Sequence, residues 1–550
     1  MKKHVKKLVG ITLAGALCTS AALGMVSSSS AKENLHTIES ENNAKNVILL
    51  IGDGMGQTQV SAAAYFQGEG YGATELAMDQ FTNVGYARTF SHDNTVTDSA
   101  AAATAFSAAH KTDNGVLGMA PENEEHHEDE EHFDVETVLE AAEKKGMSTG
   151  LVTTARITHA TPAAFASHIG SRDEENSIAE QMLIDHDIDV LLGGGKRHFL
   201  PKEEGGKRED GKNLLQAANE KGYTLIENEA ALENTDAEKM LGLFNNSHMT
   251  YELDRDLTEE PSLELMTTKA LDNLEKNDNG FFLMVEGGRI DHAGHANYPA
   301  TNIHETIAFD QAVAAALDYA KKDKNTLVIV SADHETGGMS IGANGVYGFE
   351  KDVISQVNRS PEFISKQLNK DYSNMEEVMA EFVGITDLKE QEKQSIRESK
   401  DTAAAIAHII SERALIGWTT TGHTAVDVPV YAYGPLSEQL VGTIDNTMIA
   451  EVISKAIPEP NTESAKDLQA QIQTMQENDK ITSEKAARSL LLHVQTVIQF
   501  EEKEASQKVI KHLTSFKALL DHVKEKNEIS SEAYETLMKD TEALITKWDK

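Results

Sequence analysis

Acidic and imidazole side chains stand next to several apolar segments of this chain, where they could bind metal ions. The set comprises Asp53, Glu286, Asp291, His295, Asp333, His334 and His423. Carboxylates combined with imidazoles are typical zinc ligands, and oxygen ligands alone suit magnesium. A single Asp–His pair would more often be a structural salt bridge, but three such groups after three separate apolar runs favour metal binding.

Ser99 is the candidate nucleophile. It lies in Thr97-Asp98-Ser99-Ala100 and opens an alanine-rich stretch that is predicted to be helical. The backbone N–H groups and the dipole at a helix N-terminus favour an anion, either an alkoxide or a phosphate. An ordinary helix cap is the alternative. The neighbouring metal ligands favour the nucleophile, because a zinc ion can deprotonate a serine hydroxyl directly.

Arg172 is the candidate phosphate-binding residue. It ends the segment 161–172, which begins with Thr161 and Pro162. A lone arginine is usually a member of a surface ion pair. Its planar guanidinium is nevertheless well suited to bind two phosphoryl oxygens at once. Metal ligands, a serine and an arginine together indicate phosphoryl transfer.

Short apolar runs alternate with amphipathic helical patterns between residues 46 and about 460. The runs are 46–51, 149–153, 189–192, 281–285, 326–330 and 429–433. They are rich in Val, Ile, Leu and Phe, which is typical of buried parallel strands. The alternation predicts an α/β three-layer sandwich with a mostly parallel central sheet. Ligands bind beyond the carboxyl ends of such strands, so the candidate residues should meet there.

Composition narrows the function further. The chain has 550 residues, 89 of them Asp or Glu and 50 Lys or Arg, which gives a formal charge of −39. With 40% apolar residues it is globular rather than collagen-like, disordered or polytopic in a membrane. So acidic a surface repels nucleic acid. Phosphate chemistry therefore needs local positive charge, and metal ions are the obvious source.

The first 31 residues have the pattern of a signal peptide. Lysines at positions 2, 3, 6 and 7 precede an apolar stretch, and Ser29-Ser30-Ala31 follows as a small-residue cleavage site. A membrane anchor is the alternative, and Leu17 before Cys18 argues against a lipoprotein. We expect a secreted protein, extracellular or associated with the cell surface. Cys18 is the single cysteine, so the mature chain would contain no disulfide.

Three further segments differ from the α/β pattern. Residues 120–134 form an acidic, histidine-containing loop that is either solvated or able to bind a cation. Residues from about 343 to 416 are helical and polar. Residues 459–550 contain no glycine and show helical stripes, which predict a small helical bundle. We expect this bundle to attach the protein to the cell surface or to another protein, or to act as a spacer.

Six segments carry a family resemblance. They are 52–56 (Gly-Asp-Gly-Met-Gly), 97–100 (Thr-Asp-Ser-Ala), 160–172 (Ala-Thr-Pro-Ala through Arg), 286–295 (Glu-Gly-Gly-Arg-Ile-Asp through His), 332–334 (Ala-Asp-His) and 421–424 (Thr-Gly-His-Thr). In this order they resemble the alkaline phosphatase family, over about residues 46–457. The resemblance implies a catalytic domain at 32–458, in which 343–416 would be the variable crown-like insertion beside the active-site entrance.

The resemblance also assigns roles to residues. One zinc ion would be held by Asp291, His295 and His423, and the second by Asp53, Asp333 and His334, with Ser99 close to it. A magnesium ion would be held by Asp53, Thr161 and Glu286, and Arg172 would bind the phosphoryl oxygens. Many members of the family are dimeric, which leaves a homodimer among the expectations.

Two positions near the implied metals depart from the best-known bacterial pattern. His159 stands where that branch has Asp, and His292 where it has Lys; animal-type members resemble this sequence at both. His159 places the identity of the third metal in doubt. We expect His292 to act on the phosphate through water, as a partly charged group.

The implied function is a secreted alkaline phosphomonoesterase that cleaves phosphate monoesters through a phosphoserine at Ser99. A phosphodiesterase or a sulfatase of the same superfamily is the first alternative. The second alternative is a binding protein on a retired enzyme scaffold, that is, one that keeps the fold of an enzyme without its activity. Residues 459–550 would then carry its function.

Overall fold

The structure, a computed structural model, describes residues 44–122, 131–457, 464–477, 480–501 and 503–548. The predicted signal peptide and most of the acidic loop 120–134 lie outside these residues. Within them, ten strands form one sheet that is flanked by helices, which confirms the predicted three-layer sandwich. None of the described helices is long and apolar enough to cross a membrane.

The strands are short. They are β1 (Asn46–Ile51), β2 (Asn83–Arg88), β3 (Met119–Pro121), β4 (His132–Asp134), β5 (Ser148–Arg156), β6 (Val190–Gly194), β7 (Tyr223–Ile226), β8 (Lys239–Leu243), β9 (Phe281–Glu286), β10 (Thr326–Ser331), β11 (Glu335–Thr336), β12 (Ser340–Ile341), β13 (Ile416–Gly417), β14 (His423–Thr424), β15 (Val428–Tyr433) and β16 (Gly442–Asp445).

The large sheet has the order β16-β2-β15-β10-β1-β9-β5-β6-β8-β7. Strand β1 lies near its centre and pairs in parallel with β10 and β9. All residues of these three strands are buried, since apolar side chains cover both faces. The expectation of a parallel strand at 429–433 is wrong, because β15 runs antiparallel to both β10 and β2.

The helices connect and cover these strands. They are α1 (Gln57–Gln67), α2 (Ser99–Ala108), α3 (Val138–Lys144), α4 (Ala160–Ala166), α5 (Glu175–Glu180), α6 (Leu214–Glu220), α7 (Glu229–Glu233), α8 (Leu263–Leu274), α9 (Arg289–His295), α10 (Pro299–Asp323), α11 (Lys351–Ser355), α12 (Pro361–Gln367), α13 (Met375–Val383), α14 (Glu390–Glu398), α15 (Thr402–Ala414), α16 (Thr447–Ala456), α17 (Ala465–Glu477), α18 (Glu484–Glu501), α19 (Ser506–Glu525) and α20 (Ser531–Trp548).

Two helical parts have cores of their own. Helices α11–α15 form the predicted insertion around a cluster that includes Ile354, Met379 and Ile406. Helices α17–α20 form the predicted C-terminal bundle, in which Leu513 and Phe516 are fully buried. Helical stripes predicted the C-terminal bundle, because one apolar face of each helix must be covered, whereas the resemblance implied the insertion.

Candidate active site

The candidate residues follow the carboxyl ends of adjacent strands in the middle of the sheet. Asp53 follows β1, Asp291 lies on α9 after β9, and Asp333 follows β10. Because β9, β1 and β10 are neighbours and parallel, their carboxyl ends lie at one edge of the sheet. The sequence predicted this convergence, and the structure brings the side chains together.

Asp291, His295 and His423 form the first cluster. One ligand atom of each lies within 4.8 Å of the others. The Nδ1 atoms of both histidines are held by backbone carbonyls, that of His295 at 2.6 Å from Thr421 O and that of His423 at 2.8 Å from Thr97 O. Both Nε2 atoms are therefore directed toward each other, 3.1 Å apart, and are free to bind a metal ion.

Asp53, Asp333 and His334 form the second cluster, again within 4.8 Å and fully buried. The Oγ of Ser99 lies 3.2 Å from Nε2 of His334. Gly54 permits this packing: its φ is 73°, and a Cβ there would lie 2.8 Å from the Asp291 Cα. Its N–H donates to Asp333 Oδ1 at 3.0 Å.

A third cluster contains Asp53, His159 and Glu286. Thr161, which the resemblance implied as a ligand here, lies on α4, two residues after His159. Its buried Oγ1 has no hydrogen-bond partner among the described residues. The cluster thus offers an imidazole where the implied magnesium site needs only oxygens.

The buried carboxylates fit bound cations. Both oxygens of Asp53, Oε1 of Glu286 and Oδ2 of Asp333 lack hydrogen-bond partners among the described residues. Burial raises the pKa of Asp53 well above its usual value, and the charges of Asp333 and Asp291 raise it further. Burial also raises the pKa of Glu286 to about 7. Buried, mutually repelling carboxylates with free oxygens are the groups that divalent cations neutralise.

Ser99 and Arg172 are positioned through Asp98. Ser99 is the first residue of α2, and Asp98 caps this helix by accepting from Ala101 N at 3.0 Å. The other oxygen of Asp98 accepts from Arg172 Nη1 at 2.9 Å. One side chain therefore fixes both the serine at the helix end and the guanidinium facing it.

Three histidine rings form a row that begins at Arg172. Nη2 of Arg172 lies 3.2 Å from His159 Nε2, and the rings of His159 and His292 are 5.6 Å apart. Burial and nearby guanidinium groups, with Arg289 the largest of these for His292, hold the pKa of both histidines well below its usual value. A lowered pKa favours the neutral form of both imidazoles, and the role expected for His292 stays a prediction. The third ring, of His248, lies 4.2 Å from that of His292.

Sequence analysis missed several supporting residues. Thr336 Oγ1 donates to Asp291 Oδ1 at 2.6 Å and lies 3.2 Å from His334 Nδ1, so it links two clusters. Thr153, at the end of an expected strand, donates to Glu286. Thr336 lies two residues after His334, which is a signal that could have been used. His248 lies in a loop with no pattern around it.

The family of the chain follows from comparison with known proteins. Residues 44–458 match the family model described as alkaline phosphatase. The chain belongs to the alkaline phosphatase family. It is therefore an enzyme, a hydrolase of this family, and the retired-scaffold alternative is wrong. A separate model, the FIMAH domain, matches residues 465–546, which include most of the C-terminal helices.

Named relatives come from bacteria and eukaryotes. Alkaline phosphatase 3 of Bacillus subtilis is 41% identical over 475 residues, which cover 83% of this chain and 98% of that protein. The repressible alkaline phosphatase of Saccharomyces cerevisiae is 36% identical, over 77% of this chain and 83% of that protein. Neither match covers the whole of this chain.

Solved structures support the fold. The cold-active alkaline phosphatase of a psychrophilic Shewanella is 35% identical, with a TM-score of 0.67, over 75% of this chain and 100% of that one. A variant of the alkaline phosphatase from the Antarctic bacterium TAB5, in which a histidine is replaced by glutamate, is described with Mg bound in its M3 site. It is 32% identical, with a TM-score of 0.55, over 76% of this chain and 98% of that one.

Proposed function

We propose that this enzyme hydrolyses phosphate monoesters to an alcohol and inorganic phosphate through a phosphoserine at Ser99, with two zinc ions and one magnesium ion. The observation that carries the proposal is the position of Ser99. Its hydroxyl lies at a helix N-terminus, 3.2 Å from His334 and opposite a guanidinium that Asp98 holds in place.

Arg172, Ser99 and the N-terminus of α2 have different roles in the proposed reaction. Arg172 binds non-bridging phosphoryl oxygens through N–H groups that Asp98 and His159 do not use. Ser99 Oγ attacks phosphorus, the bond to the alcohol oxygen breaks, and the alcohol leaves with a proton. Water then attacks the phosphoserine, which releases phosphate and restores the hydroxyl. The N-terminal amides of α2 stabilise the negative charge near Ser99 throughout.

The metal ions would be held by three sets of residues. We assign one zinc ion to Asp291, His295 and His423, the other to Asp53, Asp333 and His334, and magnesium to Asp53, Thr161 and Glu286. When bound, the ions would supply positive charge for the phosphoryl group and lower the pKa of hydroxyl and water.

The presence of His159 affects which metal ion the third site would bind. It belongs to the cluster of Asp53 and Glu286, so a nitrogen ligand is available there. That a TAB5 variant with glutamate in place of a histidine is described with Mg supports a magnesium site in this family. For this chain, we propose magnesium bound by oxygens, while Nε2 of His159 contacts Arg172 at 3.2 Å.

We also propose that the enzyme is secreted after removal of residues 1–31 and acts outside the cell. The helices matched by the FIMAH domain would attach it to a surface or to another protein. A homodimer, common in the family, is the proposed assembly.

The first test compares three nitrophenyl substrates. We expect a nitrophenyl phosphate to be hydrolysed far faster than the corresponding diester or sulfate, with an alkaline optimum, because serine and water ionise more readily as pH rises. Chelation should abolish turnover, and zinc with magnesium should restore it. Faster hydrolysis of the diester or sulfate, or full activity after metal removal, would contradict the proposal.

A further inference from the structure

A second guanidinium, that of Arg289, lies near the site without an acidic partner. Its Cζ lies 3.7 Å from the centroid of the Tyr251 ring, so the group stacks on the phenol. Among the described residues no carboxylate lies within ion-pair distance of it, and its buried Nε has no hydrogen-bond acceptor. A stacked guanidinium keeps its N–H edge available for an oxyanion.

Arg289 lines a cavity of about 330 Å³. Its other lining residues include Asn245, His248, Thr250, Phe363 and Lys366. The volume suits a group of phosphate or carboxylate size together with the carbon chain that carries it. Amide, hydroxyl and cationic groups thus surround a space with an aromatic wall.

The carboxylates of the same cavity are already paired. Glu362 forms an ion pair with Lys366 at 2.8 Å. Asp254 accepts hydrogen bonds from Ser360 N at 3.0 Å and from Ser360 Oγ. Outside the cavity lining, burial raises the pKa of Glu305 to about 8, while the charge of Arg289 acts in the opposite direction. Among the described residues Arg289 thus has no ion-pair partner of its own, although Asp254 and Glu362 line the same cavity.

The cavity shares a wall with the phosphate site. His248 lines the cavity, and its ring lies 4.2 Å from that of His292 and 5.4 Å from that of His159. His159 in turn contacts Arg172. The histidine rings thus connect the cavity of Arg289 with Arg172.

A second groove near the site is more acidic than the Arg289 cavity, whose two cationic side chains balance its two carboxylates. It has a volume of about 600 Å³ and is lined by His295 of the first cluster, by Asp401 and by Glu412. Its lining residues, as far as the structure describes them, include no lysine or arginine. An anionic part of a substrate is therefore favoured at Arg289 and disfavoured beside His295.

We propose that the Arg289 cavity binds an oxyanion in addition to the phosphoryl group at Arg172. This inference rests on the proposed function. Its consequence is that the preferred substrates are phosphate esters whose alcohol carries a second phosphate or a carboxylate. Free inorganic phosphate offers the same chemistry and is the other source of the oxyanion. The cavity is separate from every residue assigned above to metal or phosphoryl binding.

The substrate arm of the test uses alkanediol bisphosphates of increasing length, each compared with the alkyl monophosphate of the same length. We expect the wild-type enzyme to prefer one range of lengths at least tenfold in kcat/KM. Arg289→Gln should remove this preference, and Lys366→Gln, on an exposed side chain, should reduce it by a smaller factor. Arg359→Gln is the matched control, because that guanidinium contacts Leu253 O and Asp256 instead of lining the cavity.

The second part of the test asks whether free phosphate occupies the cavity. Equilibrium dialysis of the metal-loaded enzyme with radiolabelled inorganic phosphate measures the number of phosphates bound per chain and requires no turnover. Two phosphates per wild-type chain and one per Arg289→Gln chain would assign the cavity to free phosphate. A length preference that depends on Arg289, with one phosphate bound, would assign it to the substrate. Arg289→Lys keeps the charge and should retain part of either effect.

Two results would overturn the proposal. One is a wild-type enzyme with neither a length preference nor a second bound phosphate. The other is an Arg289→Gln variant in which kcat/KM falls equally for bisphosphates and monophosphates while phosphate binding is unchanged, since that indicates a structural role. A chain that hydrolyses no monoester yet binds two phosphates would instead refute the proposed function and retain the oxyanion site.

Discussion

At the scale of residues, the site concentrates acidic side chains that cannot all be charged without a cation nearby. Asp53, Glu286 and Asp333 are fully buried, and oxygens of all three lack partners among the described residues. Thr336, which contacts Asp291 and His334, orients these side chains and carries no charge that would neutralise them. Individual substitutions should therefore separate chemistry from metal binding and from stability.

Replacing Ser99 with alanine tests the nucleophile. We expect turnover of a phosphate monoester to fall by several orders of magnitude, because the attacking oxygen is removed while the metal ligands remain. No phosphoenzyme should be trapped by acid quenching with labelled substrate. Ser107→Ala is the matched control: this buried serine on the same helix donates to Ala164 O at 2.7 Å, so its loss should lower stability and leave turnover unchanged. Near-normal activity of Ser99→Ala would reject the assignment.

Replacing Thr336 with valine tests the link between the clusters. The change keeps the shape of the side chain and removes the hydrogen bonds to Asp291 and His334. We expect zinc affinity, measured by competition with a chelator, to fall about 10- to 100-fold. Thr306→Val on α10, which loses only a bond to Asn302 O, should leave the affinity unchanged. Equal affinities for all three proteins would show that Thr336 does not orient the ligands.

At the scale of elements, the ends of three central strands set the positions of the carboxylates, and one of these, Asp291, lies on a helix. Strand β9 ends at Glu286, and α9 begins three residues later with Asp291 in its first turn. The long helix α10 then returns the chain to β10, which ends just before Asp333. The end of α10 is therefore a place where backbone conformation affects stability without touching the site.

Lys324 ends α10 in a left-handed conformation, with a φ of 68° and an exposed side chain. Lys324→Gly should raise the free energy of unfolding by about 1 kcal/mol, because glycine adopts this conformation without the steric cost of a Cβ. Lys322→Gly, within the last turn of the helix, should lower it by about 1 kcal/mol. Urea unfolding of the two variants measures both effects, and a destabilised Lys324→Gly would contradict the explanation.

At the scale of the whole molecule, a charge of −39 surrounds a site that must attract phosphate esters. Bound cations reconcile the two, because they compensate the buried carboxylates and supply a local positive field. The same reasoning predicts how stability depends on pH when the cations are removed.

In the metal-free protein the pKa values of Asp53, Glu286 and Asp333 are raised, first by burial. The folded state then binds more protons than the unfolded state, so stability is present at low pH and lost as pH rises through the folded pKa, about 7 for Glu286. We expect the difference in Tm between metal-loaded and metal-free protein to widen from pH 5 to pH 8, as measured by calorimetry.

Glu286→Gln serves as the control for this pH dependence. The neutral amide cannot lose a proton, so the metal-free variant should lose less stability over the same range. A difference in Tm that stays constant between pH 5 and pH 8 would show that these carboxylates do not titrate as described.

Sequence reasoning found the central strands and missed those at the edges. Six continuous apolar runs predicted β1, β5, β6, β9, β10 and β15, because strands buried on both faces leave a clear signal. Strands β2, β7 and β16 were missed because exposed residues interrupt them. Strand β8 was missed although most of its residues are buried. The antiparallel direction of β15 was also missed, because an apolar run carries no information on direction.

The sequence by itself determined the kind of chemistry, because metal ligands, the serine and the arginine are recognisable by residue type and by their place after apolar runs. Only the tertiary structure showed that His159 joins Asp53 and Glu286, that Asp98 holds both Ser99 and Arg172, and that His248 and Arg289 lie beside the site. The reason is physical: ligands from neighbouring strands lie hundreds of residues apart in the chain, and pairing of β9, β1 and β10 brings them within 4.8 Å.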